Sequence, residues 1–298
     1  MINEKIDDDT SKNKGVYSHS KLSTFEQCKL KFKLKYIDKL KPEIEKSIES
    51  HLGTCVHDSL EWLYNEIKRG IIPTLDSLII HYTNKWQKEY NSEILIVKNS
   101  LTQKDYFNKG IRFLLDYYSK NHPFNDNTIE LEKKVEITIK QGKHKLMGFI
   151  DRLAYNLKTG EYEIHDYKTS GTLPTKEKIG SDRQLALYSI AIKEIYGEDK
   201  EVTLNWHFLD FNQKISIKKS AEDLEKLKED TAKLIDEIEL SKDFPANPTK
   251  LCDWCEFRKQ CPYWKGKETK NPNEELKDNS IGKKEKERYP TLSKYLKS

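Results

Sequence analysis

Three β-rich runs follow one another with almost nothing between them: "TIELEKKVEITIK" (128–140), "KLMGFIDRLAYN" (145–156) and "EYEIHDYKT" (161–169), separated by "QGKH" and "LKTG". Gly-containing links of that length are hairpin chemistry, so the runs must pair as antiparallel neighbours. The flanks read differently. Residues 51–121 and 221–240 carry apolar residues at helical spacing, and so does the stretch from about Ile179 to Tyr196. Two further strand-like runs, "VTLNWHFLD" and "QKISIKK", lie between those last two helices. Strands in a block, with helices before, between and after, read as an α/β chain.

The chain of 298 residues is long enough to bury a substantial core. Residues 1–16 are polar and aperiodic and read as disordered; residues 263–298 read as a charged, solvated tail. Between them "SHSKLSTFEQCKLKFKLKYIDKL" fits a helix with Ser20 as N-cap, and "HLGTCVHDSLEWLYNEIKRG" a helix closed by Gly70. Pro73 with Thr74 opens another helix, and a third spans about Leu101 to Lys120. The segment at about 62–121 is more helix than a minimal sheet domain needs, a helical insertion within one domain of residues 17–262.

Lys and Arg exceed Asp and Glu by 53 to 49 in a chain that is 34% charged, so a nucleic-acid partner is permitted without being required. The first thirty residues are acidic where a signal peptide would be basic, and no run approaches the roughly 18 apolar residues that span a bilayer. A soluble, cytoplasmic protein in a reducing compartment is expected, with no membrane partner. Five cysteines, three of them in "LCDWCEFRKQCP", fit a metal framework better than disulfides.

Chemistry concentrates in the second and third β-rich runs. In "HDYK" the side chains of Asp166 and Lys168 share one face of a strand, about 6.5–7 Å apart, and Tyr167 points the other way. Across the hairpin Asp151, in "GFIDRLAY", can meet Asp166. Two like charges buried together need a cation, and hard carboxylate oxygens suit Mg²⁺ or Mn²⁺. Lys168 beside them could orient water or stabilise charge on a phosphate. "HLGTCVHDSLEW" offers His57 as a third ligand, four residues before Glu61, and "DRQLALYSIAI" sets Gln184 and Tyr188 on one helical face, where they could orient the lysine, a water or a phosphate. Trp62, Trp86, Tyr90 and Tyr106 are candidate base-stacking residues, each read first as core.

In that order, a helix with His57, a strand with Asp151, the D-x-K strand and a Q-x3-Y helix, the chain resembles the PD-(D/E)XK nuclease superfamily, and in particular its RecB-like branch, from Ser18 to about Pro262. The resemblance implies a restriction-endonuclease-like core that hydrolyses phosphodiester bonds in DNA. It assigns metal binding to His57, Asp151 and Asp166 with help from the Tyr167 carbonyl, and catalysis to Lys168. Relatives act with helicases or CRISPR adaptation proteins, so such partners are expected beside single-stranded DNA or DNA ends.

Part of that branch, the AddB type and the nuclease of CRISPR adaptation, binds a [4Fe-4S] cluster through one N-terminal and three C-terminal cysteines. By resemblance these are Cys28, Cys252, Cys255 and Cys261, a clasp joining the two ends of the domain. Lys29 stands where relatives commonly have proline, and spacing alone suits zinc as well. Cys55 is left as a packing residue. An idle DNA-binding subunit would keep the fold without needing the carboxylates and Lys168. A zinc-stapled interaction protein would leave them unexplained.

Overall fold

The computed structural model of the chain describes residues 15–98 and 100–265. Most of the N-terminal stretch and nearly all of the charged tail singled out from sequence lie outside the described residues.

The three β-rich runs form β1 (Thr128–Ile139), β2 (His144–Asn156) and β3 (Glu161–Lys168), which pair antiparallel in sequence order. β4 (Val202–Phe208) joins β3 in parallel and β5 (Gln213–Ile217) returns antiparallel, giving one mixed five-stranded sheet in the order β1-β2-β3-β4-β5. A parallel pair needs a crossover. It is supplied by α6 (Lys176–Gly180) and α7 (Arg183–Tyr196), two helices where the sequence pattern reads as one. Asp182 makes the break, because its carboxylate accepts the Gln184 N–H at 2.8 Å and restarts the helix.

On one face Val135, Ile137, Ile139, Leu146, Ile150 and Ile164 pack against α7 and α8 (Ala221–Leu240), the strand alternation predicted for a half-buried sheet. Asp236 fixes α8 to the β1–β2 turn through Lys143 at 2.7 Å, His144 at 3.0 Å and Lys140. Gly148 is required on β2, since a Cβ there would lie 2.2 Å from the Tyr188 ring.

A second core forms from α3 (Ile48–Lys68), α4 (Leu75–Glu89) and α5 (Gln103–Asn121). Ser47 caps α3 by accepting the Ser50 N–H, and Gly70 follows its last residues with φ +84°, a conformation open to glycine. The apolar stripe Ile48, Leu52, Val56, Leu60 repeats every fourth residue and is wholly or almost wholly buried. Trp86 and Tyr106, 1% and 3% exposed, belong to this core, and Trp62 and Tyr90 pack against it. Their reading as base-stacking residues loses to packing. No helix among the described residues is long and apolar enough to cross a membrane.

The N-terminal helix departs from expectation at both ends. Ser18 rather than Ser20 caps α1 (His19–Gln27), accepting the Lys21 N–H at 3.2 Å. The chain then turns extended at Cys28, whose sulfur accepts the Lys31 N–H and so caps a second short helix, α2 (Lys29–Phe32).

Gly110 of α5 sits where a Cβ would lie 2.1 Å from Tyr82 Oη and 2.9 Å from Leu52 Cδ1. Gly110→Ala should destabilise the fold by about 1–3 kcal/mol through overpacking, despite alanine's better helix propensity. Equilibrium denaturation should give a lower midpoint with an unchanged slope.

Candidate active site

Asp151, Asp166 and Lys168 meet at the end of the β2–β3 pairing, where α3 and α7 approach from opposite sides. His57, on the flank of the α3 stripe, reaches the Tyr167 carbonyl with Nε2 at 2.6 Å and Asp151 Oδ2 with Nδ1 at 3.3 Å. A carbonyl only accepts, so Nε2 carries a proton, and Nδ1 faces the carboxylate. Asp151 Oδ2 also accepts the Tyr167 N–H at 3.0 Å. Thus His57, Asp151 and the Tyr167 main chain form one cluster.

Asp166 and Lys168 form the adjoining one. Lys168 Nζ lies 3.0 and 2.8 Å from the two Asp166 oxygens and donates to Gln184 Oε1 at 2.9 Å. With its oxygen so engaged, Gln184 keeps its NH₂ for the Tyr188 hydroxyl, which also bonds the Phe149 main chain. Burial alone would lower the Lys168 pKa, but the Asp166 carboxylate outweighs it and the pKa is raised. Lys168 is therefore an ammonium, a donor and a positive charge.

The polar groups fit a divalent cation. His57 Nδ1 and Asp151 Oδ2, both atoms that can ligate a metal, lie 3.3 Å apart. That is close to the roughly 3 Å between adjacent ligands on an octahedral ion with bonds of about 2.1 Å. Burial, and then the charge of Asp166, push the Asp151 carboxyl up to about 7. Asp166 Oδ2 is buried without a hydrogen bond of good geometry. Each strain is one that a bound cation relieves. The Tyr167 carbonyl has one lone pair engaged by His57 and one left over.

Over residues 16–262 the sequence matches the profile of the PD-(D/E)XK nuclease superfamily. The chain belongs to this superfamily. Its five-stranded mixed sheet flanked by helices is the corresponding restriction-endonuclease-like fold. Members typically use divalent metals, and DNA is the substrate that membership implies. Among solved structures, a protein from Eubacterium rectale described provisionally as an exonuclease superposes with a TM-score of 0.46 at 13% identity, covering 95% of this chain and 97% of its own. SSO0001 superposes with a TM-score of 0.34 at 17% identity, covering 79% and 94%. No curated protein sequence matches the chain at the stringency applied.

Some way from this nuclease site, Cys28, Cys252, Cys255 and Cys261 line one pocket with an empty volume of about 510 Å³. None of the four forms a disulfide. Three of the sulfurs accept main-chain N–H groups: Cys28 from Lys31 and Asn247, Cys252 from Thr249, and Cys255 from Phe257. Cys55 is fully buried in the helical core, its sulfur 3.8 Å from His51 Nε2. It packs, as its place in α3 implied.

Two features of the nuclease site escaped sequence reading. Glu132, lying between β1 residues paired to Arg152 and Ile150, adds negative charge beside Asp151, and its own pKa is raised by burial and by Glu61. Nothing in "LEKKV" marks it out. Arg152, next to Asp151, is 1% exposed behind the site. An arginine inside an apolar strand was the available signal.

Asp151 binds its proton more tightly in the folded chain, at about 7, than its ordinary 3.8. Its contribution to stability is thus present below about 4 and lost as pH rises through 7. Metal-free protein should lose this contribution across that window, Asp151→Asn should flatten the loss, and Mn²⁺ at pH 8 should restore melting temperature to wild type but not to the variant. Thermal melts against pH, with and without Mn²⁺, check all three.

Proposed function

We propose that this chain is a Mg²⁺- or Mn²⁺-dependent deoxyribonuclease of the RecB-like branch, acting on single-stranded DNA or DNA ends in repair, recombination or CRISPR adaptation. The observation that carries the reading is the meeting of the two clusters, His57–Asp151–Tyr167 and Asp166–Lys168–Gln184, where the β2–β3 pairing ends.

His57, Asp151 and Asp166, with the free lone pair of the Tyr167 carbonyl, would hold the cation. Bound there, it supplies acidified water and positive charge toward a phosphate. Asp166 and Gln184 aim the Lys168 ammonium, so its remaining proton is free to donate to the attacking water or a non-bridging phosphate oxygen. Tyr188 fixes the Gln184 amide from behind. Lys168 stays charged and serves as donor rather than base. A separate helicase or adaptation protein would present the strand.

The four cysteines are proposed to hold a [4Fe-4S] cluster. Main-chain N–H groups are aimed at three of the sulfurs, the donor pattern that suits cysteine ligands of a cluster. Tetrahedral zinc would draw the thiolates to within about 3.8 Å of one another. The groups of three or more metal-capable side chains found within 4.8 Å of one another among the described residues are His51, Cys55, Glu89 and His144, Asp236, Glu239, and the pocket cysteines are not among them.

Lys168→Ala and Asp166→Ala should each lower Mn²⁺-dependent cleavage at least about a hundredfold. Assays on 5′-blocked, 3′-blocked and circular substrates, single- and double-stranded, check this and read polarity; cleavage equal to wild type would sink the site. Anaerobically purified protein should be brown with broad absorbance near roughly 400 nm, whereas zinc would leave it colourless. Cys261→Ala should lose the colour and lower the melting temperature.

A further inference from the structure

Backbone pairing between β2 and β3 runs from Asn156↔Glu161 to Arg152↔His165 and stops there, one residue short of Asp151 and Asp166. Beyond that point β2 continues against β1 and β3 against β4. The two strands that carry the carboxylates are therefore without a ladder where the carboxylates lie. Two side-chain bonds cross the gap, and both end on Tyr167. On the site face its N–H is held by Asp151 at 3.0 Å; on the opposite face its hydroxyl is held by Arg152 Nε at 2.9 Å.

The Arg152 guanidinium is enclosed. Nη1 bonds Asp126 and Thr128 Oγ1, Nη2 lies 2.9 Å from His165 Nδ1, and the plane stacks 4.1 Å over the Tyr64 ring. Arginine only donates, and that fixes the direction of every bond around it. Tyr167 must accept from Nε, and its hydroxyl is hydrogen-bonded to that of Tyr117 at 3.2 Å, which is bonded in turn to Tyr64 at 2.7 Å. His165 Nδ1 must accept as well, so its proton sits on Nε2, and His207 Nε2 also lies 2.9 Å from Nδ1. Burial, then the Arg152 charge for His165 and the neighbouring His165 for His207, keep both imidazoles well below their ordinary pKa and hence neutral. One buried cation thus orders a chain of phenols and imidazoles drawn from α3, α5, β3 and β4.

Burying a guanidinium with one partly exposed counter-ion is expensive. A tyrosine–aliphatic contact would fill the same space at lower cost. What the arrangement delivers is a fixed Tyr167, whose N–H and C=O are the main-chain partners of Asp151 and His57. We propose that Arg152 is a positioning residue for the cation site, replacing the missing β2–β3 ladder by holding the Tyr167 ring so that the Tyr167 main chain keeps Asp151 and His57 in register. This rests on reading His57, Asp151 and Asp166 as the cation site.

The test is Mn²⁺ binding by full-length protein, followed by the electron paramagnetic resonance of free Mn²⁺, alongside cleavage and melting. Tyr167→Phe removes the hydroxyl and keeps the carbonyl; it should weaken Mn²⁺ binding about tenfold or more, as loss of a ligand-orienting contact does, and raise the Mn²⁺ needed for half-maximal cleavage in step. Tyr82→Phe is the comparison, because it loses a buried hydroxyl bonded to the Phe107 carbonyl at 3.2 Å, away from the Arg152 chain. It should lower stability with Mn²⁺ affinity unchanged. Arg152→Lys should behave as Tyr167→Phe or worse, and should it not fold, Tyr167→Phe decides alone. Mn²⁺ affinity in Tyr167→Phe equal to wild type, or lowered equally in Tyr82→Phe, overturns the proposal. Wild-type protein that neither binds Mn²⁺ nor cleaves with it would overturn the cation site itself, and this inference with it.

Discussion

Asp151 and Asp166 bring two negative charges to a part of the sheet from which water is largely excluded, and the surrounding arrangement answers that repulsion. Asp166 takes an ammonium, Lys168, on its own strand. Asp151 takes a main-chain N–H and faces the His57 imidazole, yet burial and the charge of Asp166 leave its carboxyl costly to ionise. The asymmetry matters. One carboxylate is spent on orienting the lysine, and the other is left as an uncompensated acceptor beside His57. A divalent ion is the partner that such an acceptor lacks.

That division explains why the chain has two cores. The sheet with α7 and α8 positions Asp166, Lys168 and Gln184 from one side. The α3–α5 unit brings His57 from the other and meets the sheet through Tyr167 and Leu209, which belong to its own apolar core. Tyr167 is the hinge of the design because its ring belongs to one core while its main chain serves the site. A site assembled from two packed bodies is only as well defined as its strands, and where the carboxylates lie the β2–β3 ladder is absent. Side-chain bonds from Asp151 and Arg152 stand in for it.

Hairpin chemistry in "QGKH" and "LKTG" made β1–β3 legible, and the D-x-K spacing made the Asp166–Lys168 pair legible, because both depend on residues close in sequence. The ends of elements were harder to place. Cys28 falls in register with Phe25 and Phe32 on a helical wheel, yet its sulfur caps a new helix and breaks the old one; Asp182 does the same before α7. Trp86 and Tyr106, read first as core, are buried, although helical periodicity alone also left them as candidates for base stacking. Least legible was the back of the site. Arg152, Tyr64, Tyr117, His165 and His207 come from five elements, and no local pattern joins them.

The cysteine pocket and the nuclease site share no residue, but α1 runs between them. Cys28 ends α1, and Glu26, two residues earlier, takes both terminal nitrogens of Arg183, the first residue of α7 and the neighbour of Gln184. Other links between the chain ends, Lys29–Glu237 and Lys35–Glu256, lie on partly exposed side chains, each worth ~1 kcal/mol or less. Closing nearly the whole chain into a loop through Cys28 and Cys252 is worth roughly 5 kcal/mol of denatured-state restriction on the loop-closure estimate. If the four thiolates share a cluster, that term exceeds the surface pairs together. The seating of α1, and through Glu26 the start of α7 beside Lys168, would then depend on the clasp more than on any salt bridge, linking the proposed cluster to Lys168 without direct contact.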